Sequence, residues 1–574
     1  KYAQNSLTGT WKNIFAFMAD DEDSNIHMSQ ADKLSKSLYS LNKAYQAHKV
    51  YFDAYPLVQS TSGGTYPVAR ETILKDIKNG VLVFTYVGHG GPYTLSQEQT
   101  INQNDIIAMY NDKQALWITA TCDFSRYDNN TVSAGMNVFL NPNGGGIALL
   151  TTTRVVFSSD NFKLGSAVYD YIVPKEGEDP LTLGEIVRRA KIDIGYDKNK
   201  LNFSLLGDPA LVLNYPTKRI ITDSINSLIP EDALMQALGL VTIKGHIADE
   251  NGDSLKDFNG TVNLTIYDKE ETMTTLANKG NTPFNYQDYP NILFSGKASA
   301  TNGCFETTFM VPKDINYKFG NGRILYYGVS DDKKTEAHDY NESFQVGGSD
   351  PSAEPSEEGP NLKLYLNSPS FISGQVVNPT PVLFAHLNDS YGINVVGAGI
   401  GHDITIKLNN DPNKTYVLNN YYESTLNDYK SGIVKYQFEP LEPGLYHLAF
   451  KAWNLQNISS SAEIDFVVRE KSIPEISDFS ISPNPASDYV DLTLLYDRPE
   501  IPVDVEFILY DMQGRQYWNS KATVSTEGTY TSHIDLSGKI GDQIRPGIYL
   551  IKATITTTEG TYDTKTQKLL VNSQ

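Results

Sequence analysis

The chain runs to 574 residues, too many for one hydrophobic core, so three to five domains are expected. Its 68 Asp and Glu outnumber 47 Lys and Arg to a formal charge of −21, which argues against the clustered basic surface of a nucleic-acid binder and suits a secreted or surface protein, as it does many cytosolic ones. Two cysteines, Cys122 and Cys304, exclude a disulfide framework and a C-x-x-C site, and no apolar run approaches the ~18 residues of a membrane-spanning helix.

The chain opens on Lys1 with no signal-peptide pattern, as expected of a processed or truncated piece of a longer protein. Residues 1–216 alternate strand and helix signals. Strand-like runs cover Asn13–Ala19, Lys49–Tyr55, Val81–Val87, Ala115–Thr121 and Gly146–Thr153. Ser29 reads as an N-cap, followed at helical spacing by Ala31, Leu34, Leu38, Leu41 and Tyr45. A second helical pattern carries Ile73 and Ile77 and stops at Gly80, and a third runs from Leu181 to Ile194. This alternation predicts an α/β domain, a mostly parallel sheet with helices on both faces.

Two of the runs end on reactive side chains. Val81–Val87 leads into Gly88-His89-Gly90-Gly91, and Ala115–Thr121 leads into Cys122 and Asp123. On neighbouring parallel strands, both residues emerge at the carboxyl edge, where open α/β sheets place their sites. A lone cysteine after an apolar run is most often a small buried hydrophobe, and a Gly-His-Gly turn is by itself a weak signal. Together they supply a thiol nucleophile with an imidazole base, and the N–H groups of Gly90 and Cys122 can form a two-donor oxyanion hole.

After Pro216 the pattern changes to short alternating strands with turn signals, including Asn251-Gly252 and Asn302-Gly303. The abundance of tyrosine, 36 residues, fits a β-rich surface protein. Residues 217–346 and 361–470 read as β-sandwich domains, separated by a Pro/Ser/Glu-rich linker at 347–360, and a hinge near Lys471–Pro474 introduces a last sandwich at 475–574. Cys304 is expected to pack in a small core, and His402 to be a satisfied structural histidine.

The chemistry-bearing segments resemble a known family. Gly88-His89-Gly90 followed by Ala120-Thr121-Cys122, together with Leu205-Leu206-Gly207-Asp208-Pro209-Ala210-Leu211, is similar to the gingipain-type cysteine peptidases, whose catalytic domain is caspase-like. The resemblance covers residues 10–216 and implies Cys122 as nucleophile and His89 as general base and acid. An acidic residue that orients the histidine would fall on Asp21, with Asp20 as the near alternative. Both could instead form a solvated cluster or a cation site, which leaves room for structural calcium. No cofactor is expected and no metal ligand is assigned. Where Arg-specific members carry an acidic residue for the P1 arginine, Asn25 aligns, with Asp23 nearby, which argues against a cationic P1 pocket. The segment after Thr153 would form a pocket wall, in which Phe157 could supply an aromatic and Arg154 could either meet a carboxylate or polar backbone group or stay a solvated surface arginine. The resemblance also implies a companion subdomain upstream of this segment, which is expected to be missing from residues 1–216.

Ala19–Asp23, Thr119–Phe124 and Gly399–Asp403 are similar to the sortase branch of that family, which serves type IX secretion. Ile481–Pro485, Leu509–Arg515, Pro546–Tyr549 and Lys568–Val571 resemble the C-terminal export domain of its cargo. The resemblance implies a peptidase peripherally attached to the outer membrane at the cell surface. It would remove export domains from secreted cargo and transfer the cargo through a thioester to a lipopolysaccharide acceptor, docked on an outer-membrane β-barrel, with no nucleic-acid partner. A secreted gingipain-like endopeptidase and an inert caspase-like scaffold or adhesin are the alternatives.

Overall fold

The computed structural model describes residues 2–60, 63–174, 179–369, 371–395, 401–469, 475–496, 502–524, 528–536, 544–557, 560 and 562–572. The expected hinge at Lys471–Pro474 lies outside them, as do Gly399 and Ile400. The chain is mostly β and divides into two compact units, Lys1–Ala353 and Glu354–Gln574.

The first unit begins with a six-stranded sheet. Its strands are β1 (Ile14–Ala19), β2 (Gln46–Tyr51), β3 (Val83–Val87), β4 (Ala115–Ala120), β5 (Gly146–Thr152) and β6 (Phe203–Leu206), in the spatial order β6-β5-β4-β3-β1-β2. Every neighbouring pair is parallel except β5 with β6. β3 and β4 are buried along their whole length, which accounts for their unbroken apolar character. Alternate residues serve opposite faces. Phe15, Phe17, Val83, Val87, Leu116 and Ile118 pack beneath α1 (Ile26–Leu41), α5 (Ser158–Ile172) and α6 (Leu183–Asp193). Ala16, Met18, Phe84, Tyr86 and Trp117 pack beneath α2 (Pro67–Asn79), α3 (Gln103–Ile107) and α4 (Ala134–Leu140).

Several boundaries differ from the sequence reading. β2 ends at Tyr51 because Phe52–Ala54 turns as a short 3₁₀ helix. α1 starts at Ile26, three residues before the expected Ser29 cap. Asp23, Ser24 and Asn25 have φ of 52°, 56° and 68°, so three successive left-handed residues turn the chain off β1, and a hydrogen bond from His27 to Asp20 draws the first turn back to the strand end. α2 stops at Gly80, whose φ of 94° and N–H bond to the Asp76 carbonyl suit a glycine terminator.

The first unit continues into a seven-stranded sheet whose pairings are all antiparallel, in the order 219–225, 240–248, 304–310, 292–301, 260–267, 323–330, 336–341. It is bound closely to the first sheet. Buried Lys12 bonds Glu336, Asn13 Nδ2 donates to the Tyr326 carbonyl (3.0 Å), and the Arg323 guanidinium bonds the carbonyl of Tyr45 (3.0 Å). Cys304 is exposed rather than packed in a core, because alternation along its strand turns Phe305 and Phe309 inward and Cys304 outward. Residues 345–349, which overlap the expected linker, form a strand paired with 234–237 and 320–321.

The second unit is all β. A four-stranded and a five-stranded sheet share one core, and within residues 476–571 a three-stranded and a four-stranded sheet share another. The His402 ring lies edge-on against Trp453, with centroids 4.5 Å apart, in keeping with a packing role.

Candidate active site

His89 and Cys122 occupy equivalent places on adjacent parallel strands. Val87 of β3 is in register with Ala120 of β4, and each reactive residue follows its strand's register position by two. The Gly88 N–H extends the ladder to the Ala120 carbonyl at 3.3 Å. With neighbouring strands about 4.8 Å apart, thiol and imidazole leave the sheet side by side at its carboxyl edge. Cys122 is half-buried, and its thiol donates to the Val156 carbonyl at 3.6 Å. His89 Nε2 meets Asp23 Oδ2 at 3.0 Å, which leaves Nδ1 for proton exchange, and among the described residues the thiol's hydrogen bond goes to Val156 rather than to the ring.

The flanking glycines have separate steric reasons. A Cβ on Gly88 would sit 2.6 Å from Asp20 Oδ2 and 2.5 Å from the Tyr86 hydroxyl. One on Gly90 would sit 2.6 Å from Thr121 Oγ1. Glycine is therefore required for a buried carboxylate to reach the His89 backbone and for the His89 turn to lie against the Cys122 strand. Ser96 N–H bonds the His89 carbonyl, which makes Gly90 opposite Leu95 a non-hydrogen-bonded position of the small 90–95 hairpin. The Gly90 N–H thus stays outside that ladder, and among the described residues the Cys122 N–H has no backbone acceptor.

The aspartates after β1 divide their work. Asp20, fully buried, accepts the His89 N–H at 2.5 Å through Oδ2 and meets His27 Nδ1 at 2.5 Å through Oδ1. Burial pulls the His27 pKa down, but the Asp20 carboxylate outweighs it, and the net shift is upward. Asp21, the expected orienting acid, does not reach the His89 ring. Its Oδ2 accepts from the Tyr66 hydroxyl at 2.7 Å and its Oδ1 from Lys279 Nζ at 3.2 Å. Burial still raises the Asp21 pKa, with Tyr66 and Lys279 pulling the other way. Lys279 also bonds Glu22 and Glu98.

Lys279 comes from a hairpin of strands 271–274 and 285–288, far away in sequence. Its loop also places the Thr282 carbonyl on Asn25 Nδ2 (2.5 Å) and Asn281 Nδ2 on the Asp21 carbonyl (3.1 Å). Asn25 is therefore bonded to this loop. Arg154 forms a two-pronged pair with Asp128 (3.1 and 2.6 Å), while Phe157 beside it is 64 % exposed and available to a ligand. Two participants escaped the sequence reading. The Asp23 contact depends on three residues of unusual backbone, and the Lys279 contact on an element 258 residues away. His27 at helical distance from Asp23 was the local signal available for the first.

The model of peptidase family C25 matches residues 1–214. This segment belongs to peptidase family C25. Family C25 comprises cysteine peptidases of gingipain type, so the Cys122 and His89 edge lies in a peptidase domain. Among solved structures, the chain is similar to dimeric latent PorU from Porphyromonas gingivalis, with 30 % identity over 75 % of this chain and 41 % of that one and a TM-score of 0.33. It is also similar to the Arg-specific cysteine proteinase gingipain R, RgpB, at 13 % identity over 61 % of this chain and 69 % of that one, with a TM-score of 0.31. The chain thus spans about two fifths of the PorU chain it matches. No curated protein sequence is significantly similar to it.

Proposed function

We propose that the protein is a cell-surface cysteine peptidase acting as the sortase of a type IX secretion system. The observation that carries the peptidase chemistry is the level placement of His89 and Cys122 on β3 and β4. Cys122 gives its proton to His89 and attacks the carbonyl at the junction before a cargo's export domain. The oxyanion forms against the N–H groups of Gly90 and Cys122. As the C–N bond breaks, His89 returns the proton to the departing amine of the export domain, leaving a thioester on Cys122. Water hydrolyses it, or an amine on a lipopolysaccharide anchor takes the acyl group and restores the thiol.

Asp23, bonded to Nε2, orients the imidazole in place of Asp21, and Asp20 holds the backbone of the same residue. A cationic P1 side chain would have to displace Lys279 from the Asp21, Glu22 and Glu98 carboxylates, and Asn25 is bonded to the Thr282 carbonyl. That favours a junction-specific enzyme over a tryptic one. The sortase step, the β-barrel docking partner and the caspase-like and sandwich assignments rest on the motif resemblance, including the four segments of 476–571. Incubation with a peptide spanning a cargo junction plus an amine acceptor should yield both cleaved and acceptor-linked product, with a hydroxylamine-sensitive adduct on Cys122. Cleavage without any acceptor-linked product would reduce the enzyme to a hydrolase, and cleavage by Cys122→Ala would refute the nucleophile.

A further inference from the structure

We propose that Asp23, His27 and His89 form a binding site for one divalent transition-metal ion of the zinc class. His89 Nε2 lies 3.0 Å and His27 Nε2 3.8 Å from Asp23 Oδ2, and the three ligand atoms lie within 4.8 Å of one another. Tetrahedral zinc with ligands about 2.0–2.1 Å away needs ligand atoms roughly 3.3–3.4 Å apart. The two distances to Asp23 bracket that value, and the separation between the two imidazoles, within 4.8 Å, closes to it by rotation of the half-exposed His89 ring.

A second, independent feature points to a metal. His27 is nearly buried, and its other nitrogen, Nδ1, is held on the carboxylate of fully buried Asp20 at 2.5 Å. With Nδ1–H donating to that carboxylate, the ring is held in place and an ion that displaces the Nε2 proton meets a lone pair directed toward Asp23. Metal-binding imidazoles are supported in the same way. The two rings stand nearly perpendicular, at 82° with centroids 5.1 Å apart, so they are not stacked on each other. Asp23 is exposed and His89 half-exposed, leaving the fourth coordination position open to water. Two imidazoles and one carboxylate suit zinc rather than calcium or magnesium, which prefer all-oxygen sites. The neighbouring Asp21, Glu22 and Glu98 cluster is of the other type, and the Lys279 ammonium already fills it.

A bound ion takes the Nε2 lone pair of His89 and the carboxylate of Asp23 together. The ring's remaining proton then sits on Nδ1, which can no longer accept the Cys122 proton, and this makes the site a reversible brake on the enzyme. The brake rests on the peptidase reading above, whereas the binding does not.

Zinc chloride titrated against a chromophoric chelator into Cys122→Ala protein, which has no thiol at the site to compete, should reveal about one tight equivalent. X-ray absorption should show a nitrogen and oxygen shell at about 2.0–2.1 Å with no sulfur. Asp23→Asn, at an exposed position where folding is not at stake, and His27→Gln should each weaken binding at least about tenfold. Unchanged affinity in Asp23→Asn, or a sulfur shell near 2.3 Å in the wild type, overturns the assignment. In the wild type, zinc should suppress junction cleavage, and chelator should restore it. Zinc bound at this site without any Cys122-dependent cleavage would instead count against the peptidase reading alone.

Discussion

At His89 each contact has a distinct consequence. Cys122→Ala should fold normally, with an unaltered melting temperature, and lose both junction cleavage and labelling by iodoacetamide at this position; unimpaired cleavage would exclude Cys122 as nucleophile. The aspartates should separate cleanly by two different readouts. Asp23→Asn, assayed in chelator, should lower kcat roughly 10- to 100-fold with the melting temperature kept, because a neutral amide that can present either its oxygen or its NH2 to Nε2 no longer enforces the Nε2–H tautomer. Asp21→Asn should keep most activity but lose about 1–3 kcal/mol of stability, because buried Asp21 anchors Tyr66 and Lys279. The reverse pattern would return the orienting role to Asp21. The glycine frame and the two reactive residues were legible in sequence because they depend on strand-end neighbours. Which aspartate faces the ring was not, because backbone φ at residues 23–25 decides it.

At the scale of elements, β3 and β4 were readable because both faces are covered and the apolar run is unbroken. α5 was harder to see, since Ser158, Ser159, Asp160, Asn161 and Gly165 dilute its helical propensity and packing against α1 and α6 compensates. The strand 336–341 offers a pH test. His338 is buried against Tyr45, ring centroids 4.9 Å apart, and Nδ1 lies 3.1 Å from Asn13 Oδ1. Burial pushes its pKa down to about 4 from 6.5. The unfolded chain therefore binds the extra proton first. The contribution is complete above about pH 6.5 and is lost as pH falls toward 4, up to roughly 3 kcal/mol. Denaturant midpoints of wild type and His338→Phe, compared at pH 7.5 and 4.5, should show the wild type losing more. Equal losses would place the histidine outside the acid response.

At the scale of the molecule, the strand–helix pattern ends near Pro216, but the physical unit ends at Ala353. Residues 217–353 supply Glu336 for Lys12, Asn278 for Asp53 and Lys279 for Asp21, each a partner for a buried charge in the first sheet. A chain ending at residue 216 strands those charges, at about 3–5 kcal/mol for a buried pair broken on one side. It should be insoluble or molten, whereas a chain ending at Ala353 should melt cooperatively and keep a reactive Cys122. Cooperative melting of the shorter chain would show that the antiparallel sheet is dispensable. By itself the sequence determined the α/β alternation, the β-rich remainder and the His89 and Cys122 pair, because period and strand-end chemistry are local properties. The tertiary structure alone decided that Asp23 rather than Asp21 meets the imidazole, that His27 joins it, and that Lys279 fills the acidic cluster. Those contacts depend on left-handed backbone, of which the Asp23 and His27 spacing is only a faint local sign, and on a hairpin folded back across 258 residues, which no local pattern encodes.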